Sequence, residues 1–144
     1  MSKKLKVGLL VVSLQEEGYH LFIENTIGEH PVRLLIDTGA SKTVIDRSFL
    51  LDKYPNLKLE AHDQLTTGVG TNTIQSEFTE IPDLKLGPLH IPNYKVAVLD
   101  LKHVNETYHM INLPPIHGVL GCDLLIEYKA VINLKKKYLR LKPY

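Results

Sequence analysis

At 144 residues, 44% of them hydrophobic, the chain has the length of one domain and enough apolar material for an ordinary core. Its formal net charge of +1 supplies no field strong enough to recruit nucleic acid or an anionic membrane. The single cysteine, Cys122, excludes an internal disulfide, which fits a reducing, cytoplasmic setting.

The chain opens with "MSKKLK" and an apolar run from Val7 to Leu14. No small-x-small cleavage site follows that run, and it falls far short of the ~20 residues that span a bilayer, so it reads as a first β-strand. "GYHLFIENT" and "HPVRLLID" flank Ile27-Gly28-Glu29, predicting a hairpin that delivers its second strand into Asp37. "SKTVIDRSFLLDKYP" holds a further apolar pair and then about one helical turn, stopped by Pro55. In "LTTGVGTNTIQSEFTEI", Gly68 and Gly70 around Val69 make either a routine turn or a hairpin tip able to approach a ligand closely. "LKLGPLHIPNYKVAVLDL" predicts two more strands joined near Gly87-Pro88, and "VNETYHMINLPPIHG" an irregular excursion. Helical spacing is good only in "GCDLLIEYK", where Leu124, Leu125 and Tyr128 share a face and Asp123 stands near the start as an N-cap. "AVINLKKKYLRL" closes the chain as a hairpin with Lys135, Lys136 and Lys137 exposed at its turn. With no repeat or linker, residues 1–144 form a single all-β domain with one short C-terminal helix.

The chemistry concentrates in "LLIDTGAS", residues 34–41, where a carboxylate stands between three aliphatic residues and a turn. Asp, Gly and Ser together often mark a turn or a helix cap. The alternative is an acid fixed at the floor of a cleft, with Gly39 allowing a tight turn and Thr38 free to direct its hydroxyl at a facing turn. An aspartic peptidase needs two carboxylates sharing one proton: one acts as base on a water, and the other, protonated, polarises the scissile carbonyl. The remaining aspartates, Asp46, Asp52, Asp63, Asp83, Asp100 and Asp123, all lie outside an Asp-Thr/Ser-Gly context. A lone Asp37 therefore calls for a second copy of the chain across a two-fold axis.

Three segments in order, "VRLLIDTGASKTVID", the Gly68 to Gly70 hairpin and "IHGVLGCDLLIEYKAVINLKKKYLRL", resemble the retropepsin-like aspartic proteases, single-domain homodimers that include retroviral and bacterial enzymes. The resemblance implies a closed β-barrel like one lobe of an acid protease. Asp37 would be the catalytic aspartate, with Thr38 and Gly39 completing its turn. Gly68, Val69 and Gly70 would form the flap over a bound peptide. Val119 and Leu120 before Gly121 would pack beside the catalytic turn, and Ala40 and Ser41 would join them, the flap and alternate-side-chain pockets in holding an extended peptide or unfolded protein. Two departures stand out. Ser41, Lys42 and Cys122 replace the acidic residues and the Arg that pair in retroviral members, so that ion pair is absent. Ala40 replaces the Ser or Thr of pepsin-like lobes, which predicts an activity optimum less acidic than pepsin's.

Rival sites are weaker. His103, His109 and His117 fit no standard zinc spacing, and Cys122 lacks a second thiolate. His117 reads as a solvent-facing loop residue rather than a tuner of the acid pair, and Cys122 as a small filler at a helix start rather than a nucleophile. Asn105-Glu106-Thr107 matches a glycosylation pattern that matters only in secretion. The sequence thus points to a homodimeric aspartic endopeptidase with no metal or organic cofactor, no nucleic acid and no membrane. The rival reading is a non-catalytic peptide-binding or dimerisation module on the same fold.

Overall fold

The apolar run at the N-terminus serves two sheets. The computed structural model describes residues 5–61 and 77–143, and in it the run breaks into β1 (Leu5–Gly8) and β2 (Leu10–Ser13). Strand β1 lies antiparallel to β13 (Tyr138–Leu141), which also pairs with β12 (Val131–Asn133), making a three-stranded sheet. At the break, Leu9 donates its N–H to the Lys137 carbonyl at 3.0 Å, and β2 then joins the larger sheet. Val7 and Leu9 are both buried, whereas no residue of β2 is.

The larger sheet grows from the expected hairpin of β3 (Tyr19–Ile27) and β4 (His30–Ile36), whose turn includes Gly28 at φ +57°. Along β4, Val32, Leu34 and Ile36 are buried and the intervening residues are not, the period-2 pattern of a strand with one face on the core. There follow β5 (Val44–Asp46), α1 (Arg47–Lys53), β6 (Glu60–Ala61), β7 (Glu77–Ile81), β8 (Leu84–Leu86), β9 (Leu89–Ile91), β10 (Tyr94–Leu99), α2 (Lys102–Met110), β11 (Gly118–Leu120) and α3 (Cys122–Glu127). The strands run in the order β6-β7-β10-β5-β11-β4-β3-β8-β9, with β2 also on β3. Among the described residues no ladder joins the two ends of that path.

Asp46 caps α1, its carboxylate accepting the Phe49 N–H at 3.3 Å, and the helix ends at Tyr54 before Pro55. Two elements differ from expectation. The stretch after Gly87-Pro88 gives β9 and β10 as separate strands, so three strands stand where two were read. The supposed irregular excursion contains α2. That helix has no side-chain N-cap and buries only Tyr108, though Leu101, Val104, Tyr108 and Ile111 recur at helical spacing. Tertiary bonds support it as well. Asp46 Oδ1 accepts the Leu101 N–H at 3.0 Å, while the Asn105 amide takes the Ile116 N–H at 2.7 Å and donates to the Ile116 carbonyl at 3.0 Å. Asn105, the residue of the glycosylation pattern, is thus spent as a clamp.

The buried side chains form two clusters. The larger fills the space enclosed by the sheets and α3, with Ile23, Ile27, Leu34, Ile45, Leu120, Leu124 and Leu139 at its centre. The smaller, of Leu14, Phe22, Leu101, Tyr108 and Ile116, lies under α2. Among the described residues no helix is long and apolar enough to cross a membrane. Gly68, Val69 and Gly70 lie outside the described residues, so the expected flap stays with the sequence.

Candidate active site

Asp37 leaves the end of β4 still on the ladder, donating its N–H to the Leu120 carbonyl at 3.1 Å. The chain then folds back: Ala40 N–H reaches the Asp37 carbonyl at 3.1 Å, and Gly39 N–H reaches Asp37 Oδ1 at 2.8 Å. One carboxylate oxygen is fixed by its own turn. The other has no partner among the described residues, and Asp37 is half-exposed. A Cβ on Gly39 would sit 3.1 Å from Asp37 Oδ1, so the glycine serves close approach here rather than an unusual φ. The Thr38 side chain is exposed, with no hydrogen-bond partner for its hydroxyl among the described residues.

The turn is held from the side by β11 and α3. Cys122 donates its N–H to the Ala40 carbonyl at 2.8 Å and its thiol to the Thr38 carbonyl at 3.0 Å. The half-exposed cysteine therefore bonds the turn rather than filling a gap. Gly121 is indispensable to this contact, since a Cβ there would lie 2.5 Å from the Lys42 carbonyl oxygen and 3.0 Å from that of Ala40. Beyond the turn, fully buried Thr43 gives both its N–H and its hydroxyl to Asp123 Oδ1, at 2.9 and 2.8 Å, and accepts the Gly121 N–H at 3.1 Å. Asp123 is thus no N-cap. The capping position is Gly121, and the carboxylate ties α3 to the strand after the turn. The Tyr94 phenol of β10 is pushed well up, by burial first and then by the neighbouring carboxylates of Asp123 and Glu127.

The face of the sheet that carries Asp37 has a continuous cross-strand row. Register places Val44 opposite Val119, Val119 opposite Leu35, and Leu35 opposite Phe22. Leu35 precedes Asp37 by two, the spacing that puts both on one face. Val44, Val119 and Leu35 are only half-buried, whereas Phe22 is 1% exposed beneath α2. There the Tyr108 ring packs edge-on at 5.6 Å from Phe22, its hydroxyl bonded to His20 Nδ1 at 2.7 Å. Arg33 lies over Phe22 with its guanidinium carbon 4.3 Å from the ring centre. Burial pushes the Tyr108 phenol up; the Arg33 charge opposes this and the Asp37 charge adds to it. None of Tyr108, His20 or Arg33 stood out in the sequence: Tyr108 arrives through the placement of α2, and His20 and Arg33 flank Phe22 from β3 and β4.

His117 is neither solvent-facing nor close to Asp37 by any bond. It is half-buried, its Nδ1 accepts the Arg33 N–H at 3.0 Å, and its ring packs on Phe49. A Nδ1 committed as acceptor must be unprotonated, and burial likewise lowers the pKa, with Asp46 opposing. Among the described residues no three His, Cys, Asp or Glu side chains assemble as a metal site.

The family model of aspartyl proteases matches residues 23–124, which run from the hairpin through the Asp-Thr-Gly turn to α3. The chain belongs to the aspartyl protease family. The chain resembles in structure a retropepsin-like aspartic protease from Rickettsia conorii, with a TM-score of 0.56 and 16% identity over 99% of this chain and 94% of that one. The retroviral protease-like domain of Ddi1 from Leishmania major aligns at 0.57 and 16% identity, covering 85% and 87% of the two chains. EIAV protease, solved with the inhibitor HBY-793, aligns at 0.56 and 20% identity, covering 85% and 100%. The fold is therefore retropepsin-like. No curated protein sequence matches the chain.

Proposed function

We propose that two copies of this aspartyl protease family member form an aspartic endopeptidase, each supplying Asp37 to one shared site. The observation that carries the reading is the half-used carboxylate: Oδ1 is pinned by the Gly39 N–H, while the opposite oxygen and the Thr38 hydroxyl have no partner among the described residues. A two-fold axis beside the turn gives those groups their counterparts, and it sets two like charges where only one can ionise cheaply.

Hydrolysis then follows from the shared proton. The ionised Asp37 removes a proton from water as its oxygen attacks the peptide carbonyl carbon. The protonated Asp37 gives its proton to the carbonyl oxygen, leaving a tetrahedral diol. The carboxylic acid just formed by the first transfer protonates the amide nitrogen, the C–N bond breaks, and the other carboxylate takes back a hydroxyl proton. The substrate is an extended peptide or unfolded protein held through its main chain, with Ala40, Ser41 and Val119 on the floor side. Leu120, expected to join them, is fully buried and supports the floor from the core, and the flap role of Gly68, Val69 and Gly70 rests on the sequence.

The test pairs solution mass with cleavage of an unfolded protein such as reduced casein. The reading expects a dimer at micromolar concentration, inhibition by pepstatin, and loss of cleavage in Asp37→Asn with the melting temperature retained. A wild-type chain that binds peptide without cutting it, and keeps that affinity as Asp37→Asn, establishes the binding-module reading instead.

A further inference from the structure

On the peptidase reading, the row across the sheet has a consequence for substrate choice. Val44, Val119 and Leu35 present a half-buried aliphatic floor on the face that carries Asp37, and at Phe22 the row passes under α2. All three pack against the cluster containing Phe22 and Tyr108. The row is therefore half-exposed at Leu35, Val119 and Val44 and ends where the Phe22 and Tyr108 rings pack together beside the Arg33 guanidinium. We propose that Tyr108 is the end wall of a substrate pocket beside Asp37, and that it restricts the pocket to aliphatic side chains.

Rigidity is what allows a wall to discriminate, and α2 is tied down at three separated points. Leu101 N–H bonds Asp46 at the start of the helix, Asn105 clamps Ile116 in the middle, and the Tyr108 hydroxyl bonds His20 on β3 near its end. Tyr108 is 3% exposed, and its ring meets both Phe22 and His20 edge-on, at 5.6 and 5.8 Å. Moving it aside to admit a larger residue means breaking the His20 bond and both ring contacts at once. On this proposal Leu, Val or Ala from a peptide would lie against Leu35 and Val119 without that movement, and the ring of Phe or Tyr would require it. A methylene more or less in such a pocket is worth roughly 10- to 200-fold in selectivity, so a wall of aromatic size is a strong filter.

The experiment digests a peptide library, randomised on both sides of one peptide bond, with the full-length wild type and with Tyr108→Ala, Tyr108→Leu and Tyr108→Phe, and reads the products by mass spectrometry. The wild type is expected to favour aliphatic residues at one position. In Tyr108→Ala and Tyr108→Leu the aromatic-to-aliphatic ratio at that position should rise by about tenfold or more; in Tyr108→Phe, which keeps the bulk, it should stay at the wild-type value. Tyr108→Leu keeps an apolar filler under α2, and circular dichroism verifies the fold of each variant. An unchanged ratio in folded Tyr108→Leu, or a wild type that cuts beside aromatic residues at every pocket position, overturns the wall and leaves the peptidase reading standing. A dimeric wild type that cuts nothing overturns the peptidase reading, and this inference with it.

Discussion

The Asp123 carboxylate holds Thr43 by two groups through one oxygen: Oδ1 accepts the backbone N–H at 2.9 Å and the side-chain hydroxyl at 2.8 Å. Eighty residues apart in sequence, the pair joins α3 to the strand that leaves the Asp37 turn. The Thr43 hydroxyl passes the link on by accepting the Gly121 N–H. The turn's position is thus set by a hydrogen-bonded chain rather than by apolar packing alone.

Replacing Thr43 by Val keeps the shape and removes the hydroxyl. The Gly121 N–H then faces a methyl group in a buried setting, and the expected loss of stability is about 1–3 kcal/mol. Urea unfolding measures it. Asp123→Asn retains an acceptor and should cost less than Thr43→Val; equal stability of wild type and Thr43→Val would show that the link is idle.

Gly121→Ala meets a different obstacle. Its φ of −98° suits any residue, but the new Cβ would stand 2.5 Å from one carbonyl oxygen and 2.6 Å from its carbon, both of Lys42. The segment after the turn must retreat, at a cost of about 1–3 kcal/mol for overpacking. Cleavage should fall more steeply than stability, because the displaced residues follow Asp37 directly. A variant with both properties intact would mean that the contact yields freely.

The Asn105 clamp predicts a local effect. Asn105→Ala strips Ile116 of both its side-chain bonds, an expected loss of about 1–3 kcal/mol, and hydrogen exchange of the Ile116 amide should speed up ahead of global unfolding. Slow exchange in the variant would show that α2 does not depend on the clamp.

For His117 the sign follows from a lowered folded-state pKa. Its ordinary value is 6.5, and burial favours the neutral ring in the folded protein. The unfolded chain then binds the extra proton first, so the stabilising contribution is complete above about 6.5 and declines as pH falls from there to the lowered folded value. The stability difference between wild type and His117→Asn should narrow on acidification across that window. A difference that is constant from pH 7 to pH 5 would contradict the assignment.

Much of the fold was legible because its signals are local. The β3–β4 hairpin announces itself through alternation and Gly28, α1 through the stop at Pro55, and α3 through the spacing of Leu124, Leu125 and Tyr128. The Asp37 turn could be read for the same reason, since the Gly39 and Ala40 bonds that shape it lie within four residues, although the Leu120 and Cys122 bonds that hold it could not. Helix α2 carried a short signal of its own, Leu101, Val104, Tyr108 and Ile111 at helical spacing, but no cap marks its start and its supports come from Asp46 and Ile116. Asp123 looked like a cap because it begins a helix, and the acceptor it provides to Thr43 is visible only once β5 lies beside α3. His117 misled in the same way: a loop histidine in sequence, it becomes an acceptor for β4 when the strands assemble.

The pairing of β1 with β13 of its own chain separates two events that a swapped terminal strand would merge. The terminal sheet is made within the one chain. On the proposed reading, in which each of two copies supplies one acid, cleavage in dilute solution would rise as the square of concentration, and abundance itself would act as the switch between an idle protomer and a working enzyme.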